Sequence, residues 1–244
     1  MTVFHASTAP ERPGLGDDDL HVWSARLDVT ASQAMYCWSA LDDQERSRAE
    51  RLRLAEHRRR FVAARGLLRV TLAGYLALPP AEVRFRYAPG GRPELQTAGA
   101  PQGLRFNVTH SGEVALFAVT RVRAVGVDIE CVRNTDVQIE TIAAQFFSLG
   151  ERELLCGLPV GARRRGMWRS WTRQEAYWKA HGDGLSRMLR GSSVSRGPSG
   201  ETGPDDAWSI LDLPLGSDYV GAVAVQGPAP RLRLLTYVRS KGPQ

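Results

Sequence analysis

Two carboxylates stand two residues apart in the segment Val125-Gly126-Val127-Asp128-Ile129-Glu130. Side chains alternate along a strand, so Asp128 and Glu130 emerge from one face and Val127 and Ile129 from the other. Carboxylates held side by side repel unless a cation lies between them. Magnesium suits such a pair, since it takes oxygen ligands from one or two carboxylates together with water and phosphate oxygens. The same pair also reads as an exposed strand end neutralised by Arg123 and Arg133.

A second group lies in Trp171-Thr172-Arg173-Gln174-Glu175-Ala176-Tyr177-Trp178-Lys179-Ala180. On a helix, Trp171, Glu175 and Lys179 are four residues apart and share a face. A solvated Glu–Lys pair would be worth only a few tenths of a kcal/mol. Here the stripe also carries Trp168, so the face reads as half-buried. Phe106-Asn107-Val108-Thr109-His110-Ser111-Gly112 adds a strand that runs into a small-residue turn, where His110 and Ser111 can meet a phosphate. Gly90-Gly91-Arg92-Pro93 adds a stiff turn that presents Arg92 as an anion donor. Taken singly, the last two also read as a structural histidine and a plain turn.

These groups need elements to hold them. Leu20–Leu27 alternates as a strand. Thr30–Leu78 reads as helical, with Asp42-Asp43-Gln44-Glu45 as a capping box and Phe61, Ala64, Leu67, Leu68, Leu72 and Leu76 at helical spacing, stopped by Pro79-Pro80. Val83–Tyr87, Leu104–Val108, Val114–Thr120 and Val125–Ile129 are predicted strands; the last is mostly apolar, so a central place is expected. Thr135–Cys156 and Arg163–Ala180 read as helices, with Ser148 to Glu151 a second capping box and Gly182 a stop. Arg190–Asp206, rich in Gly, Ser and Pro, reads as an exposed loop. Trp208–Leu213, Tyr219–Val225 and Leu232–Val238 read as strands whose short gaps predict antiparallel pairing. Each half thus carries helices followed by strands, which predicts two α+β lobes joined near Arg121–Ala124.

The whole chain is consistent with an enzyme of this size. Its 244 residues suffice for one large or two modest cores, and 43% hydrophobic with 24% charged residues argues against wholesale disorder. Apolar runs are too short to span a bilayer and no leader is visible, so a cytoplasmic protein is expected. The three cysteines form no CxxC pair. A net charge of +6, carried mostly by arginine, favours anionic partners. A P-loop and a GxGxxG turn are both missing, which lowers a generic nucleotide-enzyme reading. The aromatics sit at buried spacings rather than on a stacking platform, which lowers a nucleic-acid-binding one.

In combination, FNVTHSG, VGVDIE, FFSLGERELL and WTRQEAYWKAHGDGL, with the GRP turn and EHRRRFVAARGLLR, closely resemble the Sfp-type 4′-phosphopantetheinyl transferases over roughly Glu45 to Leu185. The resemblance implies an α+β fold of two similar lobes related by a pseudo-twofold, here 1–122 and 123–244, with coenzyme A in the cleft between them. It implies transfer of the 4′-phosphopantetheine group to a serine of an acyl or peptidyl carrier protein of a fatty-acid, polyketide or nonribosomal-peptide synthase. Magnesium (or manganese) would be held by Asp128, Glu130 and Glu175. Lys179 and His110 would contact the diphosphate. Arg92, Pro93 and Ser111, with Arg60 and Arg65, would hold the 3′-phosphoadenosine end. Glu175 would be the general base. Basic Arg163-Arg164-Arg165 and apolar Phe146 and Phe147 would receive the acidic helices of a carrier; the three arginines equally read as a solvated helix start. A monomer with neither nucleic acid nor membrane as partner is expected.

One position departs from the family pattern Trp-x-x-Lys-Glu: Gln174 stands where the lysine is expected, and the loss of that cation predicts altered coenzyme A affinity or base strength. A member that has lost catalysis and only binds coenzyme A or carriers is the alternative within the family; a basic nucleic-acid-binding protein is the one outside it.

Overall fold

The computed structural model describes residues 13–88, 91–96, 103–133, 139–182 and 207–237. The chain opens with strand β1 (Asp19–Arg26), followed by helices α1 (Ala31–Ala40), α2 (Asp43–Arg51) and α3 (Ala55–Leu76). The long helical stretch expected from the sequence is therefore three helices. Thr30 and Asp42 each close a capping box, with Gln33 and Glu45 answering from the third helical position. Buried Arg69 binds α2 to α3 through Glu45 at 2.5 Å, through Asp42, and through the Val83 carbonyl at 2.7 Å.

A short hairpin, β2 (Phe85–Tyr87) and β3 (Pro93–Leu95), precedes β4 (Leu104–Ser111), β5 (Val114–Arg121) and β6 (Val125–Cys131). Helices α4 (Ile139–Phe146), α5 (Leu149–Cys156) and α6 (Val160–His181) come next. Strands β7 (Trp208–Asp212), β8 (Tyr219–Gln226) and β9 (Arg231–Thr236) follow. Ser148 and Glu151 form the capping box expected at the start of α5. The loop predicted at Arg190–Asp206 lies outside the described residues. The mixed α+β class is as expected.

The strands form a four-stranded sheet in the order β4-β5-β1-β9, a three-stranded sheet in the order β6-β8-β7, and the β2-β3 hairpin. Alternation explains the layering. On β1 and β5, Trp23, Ala25, Ala115, Phe117 and Val119 face the core shared with α3, where Leu68 and Leu72 are fully buried. Leu20, Val22, Leu116 and Ala118 face the other way, against Val125, Val127, Ile129, Val223 and Val225. The second sheet then turns Ala222 and Ala224 toward Ala176, Tyr177, Trp178 and Ala180 of α6. The order is helix, sheet, sheet, helix, with α3 and α6 on the outside. Burying a branched side chain in these layers contributes about 1.5–3 kcal/mol before entropy is counted.

Two expectations are corrected. Strand β6 is an edge strand and not a central one; its apolar residues are buried because a second sheet covers their face. Strand β9 does not pair with β8: it runs parallel to β1, with Leu20 opposite Leu232 and Trp23 opposite Leu235. Residues 231–236 therefore belong to the first sheet, and a boundary that assigns all of 123–244 to a second lobe cuts through it. Close packing elsewhere depends on Gly126. A methyl group at this position of β6 would overlap the Ala176 carbonyl and the Ala180 amide of α6, so glycine lets the helix lie against the strand.

Candidate active site

The site forms where β4, β6 and α6 meet. Val125, Val127 and Ile129 are buried between the sheets, which turns Asp128 and Glu130 to the α6 side as alternation requires. On α6, Glu175 and Lys179 lie one turn apart and face them. Lys179 Nζ is 2.5 Å from Asp128 Oδ1. Asp128 is 4% exposed, and its other oxygen, Oδ2, has no hydrogen-bond partner.

Strand β4 borders β6 through side chains at every second residue. The Asn107 Oδ1 accepts from the Val127 amide at 3.2 Å. Thr109 donates to Asp128 Oδ1 at 3.1 Å and accepts from Lys179 at 3.3 Å. Ser111 donates to Glu130 at 2.9 Å and accepts from the Cys131 amide at 3.0 Å. Sequence reasoning found Ser111 but missed Asn107 and Thr109. The signal was present: all three are polar and spaced by two on the strand that carries His110.

His110, one residue out of phase, points to the opposite face of β4, the side of Phe106 and Val108. Its side chain reaches solvent, yet the protein around the ring disfavours the charged imidazolium, and Lys179 and Arg60 add like charge. Its pKa is accordingly below the ordinary histidine value. Arg60 of α3, close enough for its charge to act on that ring, also pairs with Glu56 at 2.6 Å. Arg92, just before Pro93 at the start of β3, reaches the end of α6 and donates to the Lys179 carbonyl at 2.7 Å. That helix stops at Gly182, whose φ of 84° suits glycine. The Nε of Arg92 is buried without a partner.

Crowding of negative charge is visible in the carboxylates. Burial is the largest cause raising the Glu130 pKa, to about 7, and the charges of Asp128 and Glu175 push the same way. Burial likewise raises Asp128 and Glu175, against the pull of Lys179. The reading in which Arg123 and Arg133 neutralise this strand end is excluded. Arg123 donates to the Gln226 carbonyl at 2.5 Å and to that of Pro228, while Arg133 pairs with Asp218.

Other expected groups have these partners within the chain. Arg65 holds Glu45 at 2.5 Å and donates to the Tyr87 hydroxyl at 2.7 Å, so it ties α3 to α2 and to β2. Arg163, Arg164 and Arg165 donate to backbone carbonyls: Cys156 for the first, Val132 for the second, and Gly216, Ser217 and Tyr219 for the third. Phe147 is buried, with Phe146 packed beside it against Trp171. Gln174 is 1% exposed and donates to Glu151 Oε1 at 3.1 Å. Its amide therefore meets the capping box of α5. A lysine there would meet Glu151 too, not a phosphate beside Glu175.

Among the described residues, no group of three or more His, Cys, Asp or Glu is gathered closely enough to chelate an ion as it stands. The donor set nonetheless fits a hard divalent cation. It is all oxygen, it carries excess negative charge, and it includes a buried carboxylate oxygen without a partner.

With this geometry, likeness to known proteins becomes informative. Residues 124–223 match the family model of the 4′-phosphopantetheinyl transferase superfamily, and residues 26–121 match that of the 4′-phosphopantetheinyl transferase N-terminal region. The 4′-phosphopantetheinyl transferase HetI of Nostoc sp. is 40% identical over 224 residues, which cover 89% of this chain and 93% of that protein. The chain belongs to the 4′-phosphopantetheinyl transferase superfamily. More partial relatives include the 4′-phosphopantetheinyl transferase psf-1 of Bacillus pumilus, 30% identical over 60% of each chain. The 4′-phosphopantetheinyl transferase AcpT of Escherichia coli is 34% identical over 51% of this chain and 58% of its own. Of the residues gathered here, Asp128, Glu130, Glu175 and Lys179 lie in the matched segment 124–223, and Thr109, His110 and Ser111 in the matched segment 26–121. No described helix is long and apolar enough to cross a membrane.

Proposed function

We propose that this phosphopantetheinyl transferase moves the 4′-phosphopantetheine arm of coenzyme A onto a carrier-protein serine and is of the Sfp type, accepting carriers of secondary metabolism. The observation that carries the reading is the meeting of Asp128, Glu130 and Glu175 with Lys179, at a buried carboxylate with one oxygen free.

Asp128, Glu130 and Glu175 would hold magnesium, or manganese in its place. Bound there, the ion would neutralise charge on the diphosphate. The chain's own residues account for the rest. Arg60 and Lys179 bring positive charge to the neighbourhood of His110, and the three would meet the anionic diphosphate. Arg92, fixed by the end of α6 and with its Nε without a partner, would hold the 3′-phosphoadenosine end of coenzyme A; Pro93 stiffens that turn. Ser111 orients Glu130 through its hydroxyl. Glu175, whose proton affinity is raised by burial, accepts the proton of the attacking serine, directly or through water. The serine oxygen forms its bond to the phosphorus next to pantetheine, the bond to the other phosphate breaks, and adenosine 3′,5′-bisphosphate leaves. Phosphoryl transfer asks chiefly for positioning and charge stabilisation, which these residues provide.

The test is direct. The protein is incubated with coenzyme A, magnesium and apo-carriers of fatty-acid, polyketide and nonribosomal-peptide origin, and each carrier is weighed by mass spectrometry. Addition of one phosphopantetheine is expected, and Asp128→Ala should abolish it while circular dichroism stays native. Transfer by Asp128→Ala at the parent rate would overturn the assignment.

A further inference from the structure

Lys179 holds one oxygen of Asp128 and leaves the other, Oδ2, without a partner beside it. Its Nζ lies 2.5 Å from Oδ1, and the Thr109 hydroxyl closes a triangle by donating to that oxygen and accepting from Nζ. Thr109 is itself buried. A buried carboxylate left without a partner is costly, so Lys179 cannot simply leave. A divalent ion and an ammonium on one carboxylate would repel each other strongly in so dry a place. Besides Asp128, the carboxylates that act on Lys179 are Glu130 and Glu175, which the metal would itself take, while Thr109, His110 and Arg60 supply no negative charge.

We propose that Lys179 is a resident counter-ion of the free enzyme, which blocks Asp128 from a divalent metal until an anionic diphosphate arrives to take the ammonium. The inference rests on the metal reading given above. Metal alone then binds weakly, because it takes the carboxylates that Lys179 also needs and leaves the ammonium with no other anion. Metal and coenzyme A bind cooperatively, because the diphosphate removes that cost. Linkage makes the effect mutual: magnesium tightens coenzyme A as much as coenzyme A tightens magnesium. Thr109 is a positioning residue in this device, holding Lys179 on Oδ1.

Isothermal titration of magnesium chloride at pH 8, without carrier, tests this on the parent protein, Lys179→Met, Lys179→Arg and Thr109→Val, each with and without coenzyme A. In the absence of coenzyme A, Lys179→Met should bind magnesium at least about fivefold more tightly than the parent, the low end of common coupling energies. Lys179→Arg, which keeps the cation, should bind as weakly as the parent, and Thr109→Val should fall between. With coenzyme A the differences should shrink. In EDTA, Lys179→Met should melt below the parent and recover on addition of magnesium. Equal or weaker magnesium binding by Lys179→Met and by Thr109→Val, while the parent binds the ion with coenzyme A, would overturn the proposal and leave the metal reading standing. Lack of magnesium binding by any form, coenzyme A included, would overturn both.

Discussion

Glu130 carries the cost of the site most openly. Its pKa of about 7 in the fold exceeds the ordinary glutamate value of 4.5. A raised carboxyl favours the native state only while protonated, so stability is lost as pH rises from about 4.5 through 7. Glu130→Gln removes the charge and its penalty. At pH 8, in EDTA, the variant should melt roughly 3 °C or more above the parent, and at pH 4 the two should nearly coincide. Differential scanning calorimetry at the two pH values checks this; a gap that is the same at both would show that charge is not the cause. Gln174 makes a contrasting case. Because its amide is spent on Glu151, Gln174→Lys should leave the KM for coenzyme A within about twofold of the parent in steady-state kinetics. A larger change would bring residue 174 back to the ligand. The residue pattern made the pair at 128 and 130 and the helix at 175 and 179 legible, since alternation and helical spacing are local. It could not show that Gln174 turns to Glu151, or that Arg163, Arg164 and Arg165 serve backbone carbonyls, because those partners come from other elements.

At the scale of elements, the site is a matter of how closely α6 lies on β6. Gly126 permits that closeness, and a methyl there has backbone on its far side that cannot step aside. Gly126→Ala should therefore cost about 1–3 kcal/mol of stability, as overpacking does. It should also cut turnover more than the stability loss explains, because α6 carries Glu175 and Lys179 away from Asp128. Urea melts combined with transfer rates at a temperature where the variant is fully folded measure both; native activity in a folded variant would be against it. Element types were legible wherever periodicity was strong, as in α3, α6 and β5. Capping boxes at Asp42 and Ser148 were legible as well, because their residues are local in sequence. The second break of the first helical stretch was not, since Leu52 and Leu54 continue the apolar pattern through it.

At the scale of the molecule, β9 sews the far end of the described chain to its beginning. Leu235 joins the core under α3, and the Tyr237 hydroxyl bonds Thr71 at 2.6 Å. Removing residues 229–244 should expose the β1 edge and destabilise the first sheet as well as the second. Limited proteolysis should then cut within 19–121, where the parent resists; equal resistance would show β9 to be dispensable. This pairing was illegible in the sequence, because a strand's partner across some 210 residues leaves no local mark, and the short gap to β8 suggested the nearer neighbour.

That arrangement has a consequence during synthesis on the ribosome. Strand β1 emerges long before β9, and one of its edges waits for a partner that begins at Arg231. For most of translation it presents unpaired backbone groups beside an apolar face, the kind of edge that nascent-chain chaperones and neighbouring polysomal chains can engage. The nascent chain holds Asp128, Glu130 and Glu175 well before the first sheet can be completed. Its yield in a foreign host should therefore depend on how quickly the stretch that carries β9 is translated.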